Sequence, residues 1–248
     1  MAGRAYKTEA VVLRSLRFAE ADRVLHLYTL DRGRVGAVAK GVRKTKSRFG
    51  GRLEPLSHVE LVLHHGRGEL DTVTGASLMR PHDRARTEPY RLNVGLIGLE
   101  AMLRLFTEQE ANERAFTALT RFLDALDELP SRAPARPALD PLVLAFQLKL
   151  LWLSGYMPHL SDCVECGAEG DLVGFLPAAG GAVCSACAGG SAIVLTTDGF
   201  SAIVGLLRTS LADAAMLRIS ERASRDALSV VGASYEYHGG FRLRTLSA

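Results

Sequence analysis

The hydrophobic period of this 248-residue chain changes once, at a charged, proline-bounded segment from Pro81 to Pro89, and that change limits what each side can fold into. Before it, Tyr6 to Leu13, Arg23 to Leu30, Arg34 to Ala39, Val59 to His64 and Leu70 to Ser77 are short runs rich in Val, Leu and Thr, the composition of strands. Asp31-Arg32-Gly33 and Gly66-Arg67-Gly68 are turn signals between runs. Five short antiparallel strands predict a small closed barrel, and the pattern suits an OB-fold or an SH3-like barrel. After the break, Leu92, Leu96, Leu99, Leu103 and Phe106 recur at helical spacing, and Phe116, Leu119, Leu123 and Leu126 repeat it before Pro130. The proline-rich stretch from Ser131 to Pro141 reads as an exposed connection. A third helix is predicted over Leu142 to Leu153, opened by Asp140-Pro141 and closed by Gly155 and Pro158. A fourth follows a cap at Thr197 or Asp198 and runs through Leu207, and a last one runs from about Glu221 to Ala233. The predicted class is α+β: a barrel domain over residues 1–80 and a helical domain over 81–248, with a metal-binding segment at about 160–190 inserted in it.

Charge is divided along the same line. Residues 1–80 hold 15 Lys/Arg and 8 Asp/Glu, a net of +7, while the remainder holds 15 and 19, a net of −4. Eight of the cations, Arg32, Arg34, Lys40, Arg43, Lys44, Lys46, Arg48 and Arg52, fall in one run of 21 residues that contains no acid. Gly41, Ser47, Gly50 and Gly51 give that run flexibility, and its position between the third and fourth strands makes it a long loop. Such a loop suits phosphate oxygens, contacts that hold nucleic acid without reading its sequence. Phe49 inside it fits equally a core position or a platform for an unpaired base. Tyr28 on the preceding strand reads as core.

The four cysteines form two pairs, Cys163-x-x-Cys166 and Cys184-x-x-Cys187, separated by 17 residues. Two intervening residues let both thiolates of a turn face one point about 2.3 Å away, and two such knuckles make a tetrahedral cage. Gly167 and Gly189-Gly190 let the knuckles turn. Four sulfurs saturate Zn²⁺ and leave no place for water or substrate, so the predicted role is structural, with four free thiols, a redox pair or an iron–sulfur cluster as the alternatives. His159 is read as an ordinary polar residue outside the cage.

Enzyme signatures are missing. The chain has no Gly-x-x-x-x-Gly-Lys-Ser/Thr, no His-Glu-x-x-His and no Gly-x-Ser-x-Gly. Its acids are scattered, and the adjacent pair His64-His65 reads as a solvated strand end. The chain is therefore expected to be no enzyme. A metal-dependent nuclease with an unrecognised site and a zinc-dependent sequence-specific regulator are the alternatives. No apolar run approaches the roughly 20 residues of a membrane span. Met1 to Lys7 lacks an apolar signal core, so the expected location is the cytoplasm.

The order of several segments resembles the bacterial RecO family of DNA repair and recombination mediators. The resemblance runs through Thr8-Glu-Ala-Val-Val-Leu13, Glu20-Ala-Asp-Arg-Val24, Tyr28-Thr29, Gly33, Val38-Ala-Lys-Gly-Val-Arg43 and Leu53-Glu-Pro55. It resumes in Phe146-Gln-Leu-Lys-Leu-Leu151 and Gly155-Tyr-Met-Pro158, followed at once by the first cysteine pair. It implies that the barrel is an OB-fold binding single- and double-stranded DNA. It further implies annealing of complementary strands, and loading of RecA onto single strands coated by the single-strand-binding protein SSB. The implied partners are RecR and the acidic C-terminal tail of SSB, with RecF engaged at most indirectly, and the implied setting is the nucleoid. In relatives the SSB tail docks on the helical domain. Arg104, Arg114 and Arg121, beside Leu103, Phe106 and Phe122, are its candidate contacts here. The sequence departs from the family at Tyr235-Glu-Tyr-His-Gly-Gly-Phe-Arg-Leu-Arg-Thr245, where paired glycines are expected to break the terminal helix. Some relatives lack the cysteines, which sets zinc apart from the shared DNA chemistry.

Overall fold

A computed structural model describes residues 5–44, 47–66, 68–128, 130 and 136–246. Five strands, β1 (Ala5–Phe18), β2 (Asp22–Thr29), β3 (Gly33–Ala39), β4 (His58–His64) and β5 (Asp71–Arg80), close into a barrel in the order β1-β2-β3-β5-β4. Neighbours are antiparallel except β3 and β5, which run parallel at Ala37–Asp71 and Val38–Thr72. This is the five-stranded OB arrangement. Alternation along the strands sends Ala10, Val12, Leu25, Leu27, Val35, Ala37, Val59, Leu61, Leu63 and Val73 inward. Gly33 makes the β2–β3 turn at φ +61, and a Cβ there would lie 2.1 Å from the Glu110 carbonyl oxygen. Only glycine meets both demands.

Val11, Leu13, Tyr28 and Leu56 belong instead to the core of the helical body, so one outer side of the barrel is fused to it. Leu13 follows Val11 outward by ordinary alternation, and a bulge between Val12 and Arg14 then lets Arg14 face outward as well. Tyr28, read as core, is buried with its ring edge against Phe106 at 5.7 Å.

The body comprises α1 (Asp83–Thr87), α2 (Pro89–Leu105), α3 (Glu113–Glu128), α4 (Pro141–Leu153), α5 (Thr197–Arg208), α6 (Leu211–Ala214) and α7 (Glu221–Gly239). α4 is apolar on all sides, and every residue from Leu142 to Leu148 is buried. A helix of that kind belongs at the centre, and α2, α3, α5, α6 and α7 surround it. The Asp140 carboxylate accepts from the Leu142 N–H, so the expected cap is made.

Four expectations need correction. The segment Pro81–Pro89 contains a helical turn, α1, rather than only a linker. α5 is capped by Thr196, whose hydroxyl accepts from Gly199 N–H, one residue before the expected position. The final helix continues through Tyr235-Glu-Tyr-His-Gly239 and stops at Gly240, so the glycine pair ends the helix instead of preventing it. The metal-binding segment is more than loops. It contains β6 (Leu172–Leu176), β7 (Gly181–Cys184) and β8 (Ile193–Val194), in the order β7-β6-β8. In the proline-rich connection, Pro137–Leu139 form a 3-10 turn, while residues 131–135 lie outside the described residues.

Candidate nucleic-acid interface and metal centre

The basic run leaves β3 at Lys40 and returns to β4 at His58, as expected, but it is anchored rather than free. Gly41 N–H donates to the Asp22 carboxylate at 2.7 Å, Arg43 N–H to the Ala21 carbonyl at 3.0 Å, and the Arg43 guanidinium to the Glu20 carbonyl at 3.0 Å. These bonds fasten Lys40–Lys44 to the tip of the β1–β2 hairpin. Further along, Phe49 is 1% exposed and packs with Leu53 in the barrel core. Phe49 is therefore not a surface platform for bases. Its apolar ring closes the barrel, and Arg48 lies over it with the guanidinium carbon 4.8 Å from the ring centre.

Lys40, Arg43, Lys44, Arg48 and Arg52 are exposed. Among the described residues none of them lies within ion-pair distance of a carboxylate. Arg52 donates to the carbonyls of Arg48 and Phe49, which holds the turn and leaves its charge uncompensated. Lys46 lies outside the described residues. Arg32 and Arg34 sit apart from this group. Arg32 covers the Tyr6 ring at 4.0 Å, and Arg34 is half-buried and donates to the Leu103 carbonyl at 3.2 Å.

The hairpin tip adds residues that sequence reasoning missed. β1 runs past the bulge to Phe18, and Arg14, Arg17 and Phe18 are exposed. Arg14 is paired with His26 across the β1–β2 ladder. Burial first, then the Arg34 and Arg14 charges, hold His26 below the usual imidazole range. The one signal in the sequence was the alternation Arg14-Ser-Leu-Arg-Phe18, which continues the strand pattern beyond Leu13.

The cysteines converge. Their four sulfurs lie within 4.8 Å of one another, and Cys166 and Cys184 Sγ are 3.7 Å apart. A tetrahedron with metal–sulfur bonds of about 2.3 Å has sulfur–sulfur edges of about 3.8 Å, so the donor set fits. Each knuckle is closed by backbone bonds, Gly167 N–H to the Cys163 carbonyl at 2.8 Å and Ala188 N–H to the Cys184 carbonyl at 2.9 Å. Gly167 takes φ +73, whereas Gly189 and Gly190 do not take positive φ and are not needed for the turn. A hydrogen bond from Cys184's backbone is the largest influence lowering the Cys163 thiol, to about 6. The sulfurs of Cys166 and Cys184 push Cys187 up to about 12. Sulfur crowding of this kind opposes further thiolates beside Cys163 until a cation joins the set. His159 bonds Asp162 at 3.0 Å and stands outside the cage. Among the described residues this is the one cluster of His, Cys, Asp and Glu able to hold a metal.

Of the three arginines expected beside an acidic peptide, two share a site. Arg114 and Arg121 on α3 line a groove of about 750 Å³ whose other walls are Lys149, Trp152 and Leu153 of α4 and Leu211 of α6. Lys149 Nζ donates to the Leu206 and Leu207 carbonyls, and burial lowers its pKa. Glu113, Asp124 and Glu128 also border the groove. Arg104 is elsewhere, with its guanidinium carbon 5.5 Å from the centre of the Phe241 ring. Beyond Phe241 the tail follows α2, where the Glu100 carboxylate accepts from the backbone of Arg244 and Thr245.

Comparison with known proteins covers nearly the whole chain. The family described as Recombination protein O N terminal matches residues 1–82, and Recombination protein O C terminal matches residues 86–247. A protein of Frankia casuarinae named DNA repair protein RecO is 39% identical over 245 residues, 97% of this chain and 96% of that one. Proteins of the same name from Rubrobacter xylanophilus and Thermobifida fusca are 41% identical over 184 residues and 36% identical over 238 residues. These cover 73% and 94% of this chain, and 71% and 93% of their own.

Proposed function

We propose, from the premise that this chain belongs to the DNA repair protein RecO family, that it binds single- and double-stranded DNA through the barrel, anneals complementary strands and, with RecR, helps load RecA onto SSB-coated single strands. The observation that carries this reading is the group of exposed, uncompensated cations Lys40, Arg43, Lys44, Arg48 and Arg52, the first three on the segment fastened to the hairpin tip. Cations so placed replace the counterions around two phosphate chains and lower their mutual repulsion. Pairing then proceeds without a covalent step or a nucleotide cofactor.

The groove between α3, α4 and α6 suits the SSB tail, with Arg114 and Arg121 facing its carboxylates and Trp152, Leu153 and Leu211 its apolar end. RecF would act only through the same assembly. Zn²⁺ on Cys163, Cys166, Cys184 and Cys187 would staple the small sheet β6–β8, apart from the DNA chemistry.

The deciding experiment is annealing of SSB-coated complementary oligonucleotides. The wild-type chain should accelerate it. Lys40→Ala/Arg43→Ala/Lys44→Ala should slow annealing on both bare and coated strands. Arg114→Glu/Arg121→Glu should slow it only on coated strands. No acceleration by the wild-type chain, or metal-dependent cleavage of the oligonucleotides by it, would refute the reading.

A further inference from the structure

The OB barrel presents a second feature beside its cations. On the outer face of the β1–β2 hairpin, Leu16 pairs with Val24 and Phe18 with Asp22, while on β3 Val38 pairs with Val24 and Gly36 with His26. These side chains share one face because cross-strand partners point the same way. Leu16 is 37% exposed and Phe18 50%. Leu70, from the β4–β5 connection, reaches over the same surface. A Cβ on Gly36 would lie 2.6 Å from its Cδ2, so the glycine is what admits it. Large apolar side chains left in water at a strand tip serve no packing purpose there.

Their border is cationic. Arg14 flanks the patch on β1, Lys40 follows directly after β3, two residues beyond Val38, and Arg43 is bonded across to the Glu20 carbonyl at the tip. Of the two acids at the tip, Asp22 is occupied by the Gly41 N–H, and Glu20 leaves its side chain exposed at the turn. A flat apolar strip with an exposed aromatic ring, edged by cations, complements a chain with planar apolar faces on one side and anionic groups on the other. Single-stranded nucleic acid has that form, and a duplex, with its bases stacked inward, does not.

We infer that the outer face of the β1–β2 hairpin, with Phe18 at its tip and Leu16, Val24, Val38 and Leu70 behind it, is a stacking platform for the unpaired bases of single-stranded DNA, and that it distinguishes single strands from duplex. This rests on the DNA-binding reading above and adds a division of labour to it. The loop cations hold phosphates of either form, while Phe18 contacts bases only where they are unpaired.

The test compares oligo-dT and a duplex of equal length by anisotropy titration. Phe18→Ala should weaken oligo-dT binding roughly 5- to 150-fold, the range for loss of one base–aromatic stack, and leave duplex binding within about twofold. Phe18→Tyr should restore oligo-dT binding. In a Trp152→Phe background, Phe18→Trp should lose fluorescence on adding oligo-dT and keep it on adding duplex. Equal weakening of both forms by Phe18→Ala, or no change in either while the wild-type chain binds both, would overturn the platform and leave the DNA reading standing. A wild-type chain that binds neither form would overturn both. Because Phe18 is half exposed, its variants should melt with the wild-type chain, and a lowered melting temperature in Phe18→Ala with unchanged binding would assign the ring a structural role instead.

Discussion

Two aromatic residues of the barrel show how far a residue's type is from its role. Phe49 sits among basic residues and glycines and yet fills the barrel core, while Phe18 ends a strand of ordinary pattern and yet stands in water. His26 lies between them in character, half-buried beside Arg14 and facing Gly36. Burial, Arg34 and Arg14 all disfavour its charged form, so its pKa in the free protein is below 6.5. Phosphate held beside the exposed Arg14 would remove part of that repulsion and raise the His26 pKa in the complex. The bound state then holds more protons than the free state below about pH 6.5, and binding tightens as pH falls through that window. Affinity for oligo-dT should rise by less than about tenfold per pH unit, the limit for one coupled proton. His26→Gln should remove that increment while retaining affinity at pH 8. An identical pH profile in His26→Gln would remove this residue from the interface. Folding carries the opposite sign. The unfolded chain binds the proton more readily, so the contribution of His26 to stability is present above about pH 6.5 and lost as pH falls through the depressed folded value.

At the scale of elements, what could be read ahead followed from local rules. The barrel strands are legible in a period of two, the long helices in a period near 3.6, and the α4 cap in Asp140-Pro141. The cysteine cage is legible because a two-residue spacing fixes a knuckle within a single turn. What was not legible depends on closure in three dimensions. The strands β6–β8 are four or five residues at most, and they exist because the sheet and the knuckles pack on one another around Cys163, Val183 and Cys184. Leu70 reads as part of a strand, but the approach of β5 to β3 places it over Gly36. The same dependence makes the four-cysteine segment a unit that metal should control. Its small core cannot fold it alone, and metal binding there is folding energy. Elemental analysis should find one zinc per chain. Chelation, or Cys184→Ser, should open residues 160–195 to proteolysis before the barrel, with oligo-dT affinity changed by less than about twofold if the cage is remote from phosphate contacts. Zinc absent from the purified chain, or a collapse of DNA binding together with the metal, would contradict that division.

Across the whole molecule, charge and architecture divide at the same place. The residues that build the barrel carry a net +7 and the rest −4. A uniformly basic protein would cling to any polyanion along its entire surface, whereas in this one the proposed attraction is concentrated where hairpin tip and loop are bonded together. The strength of that end can be counted by salt. If about five basic side chains displace counterions from a single strand, log affinity should fall against log salt with a slope near −3.5, about −0.7 for each contact. Removing three cations in Lys40→Ala/Arg43→Ala/Lys44→Ala should flatten the slope to roughly −1.4, and weaken all sequences alike. Phe18→Ala should behave differently, shifting the line downward with its slope intact, because a stack with a base releases no ions. Arg114→Glu/Arg121→Glu, on the helical groove, should leave both slope and intercept in place for bare DNA. These outcomes separate the roles of loop, platform and groove by one titration series across salt concentration. A slope unchanged in the triple variant would mean that phosphates are held elsewhere on the chain, and the role assigned to the joined tip and loop would fall with it.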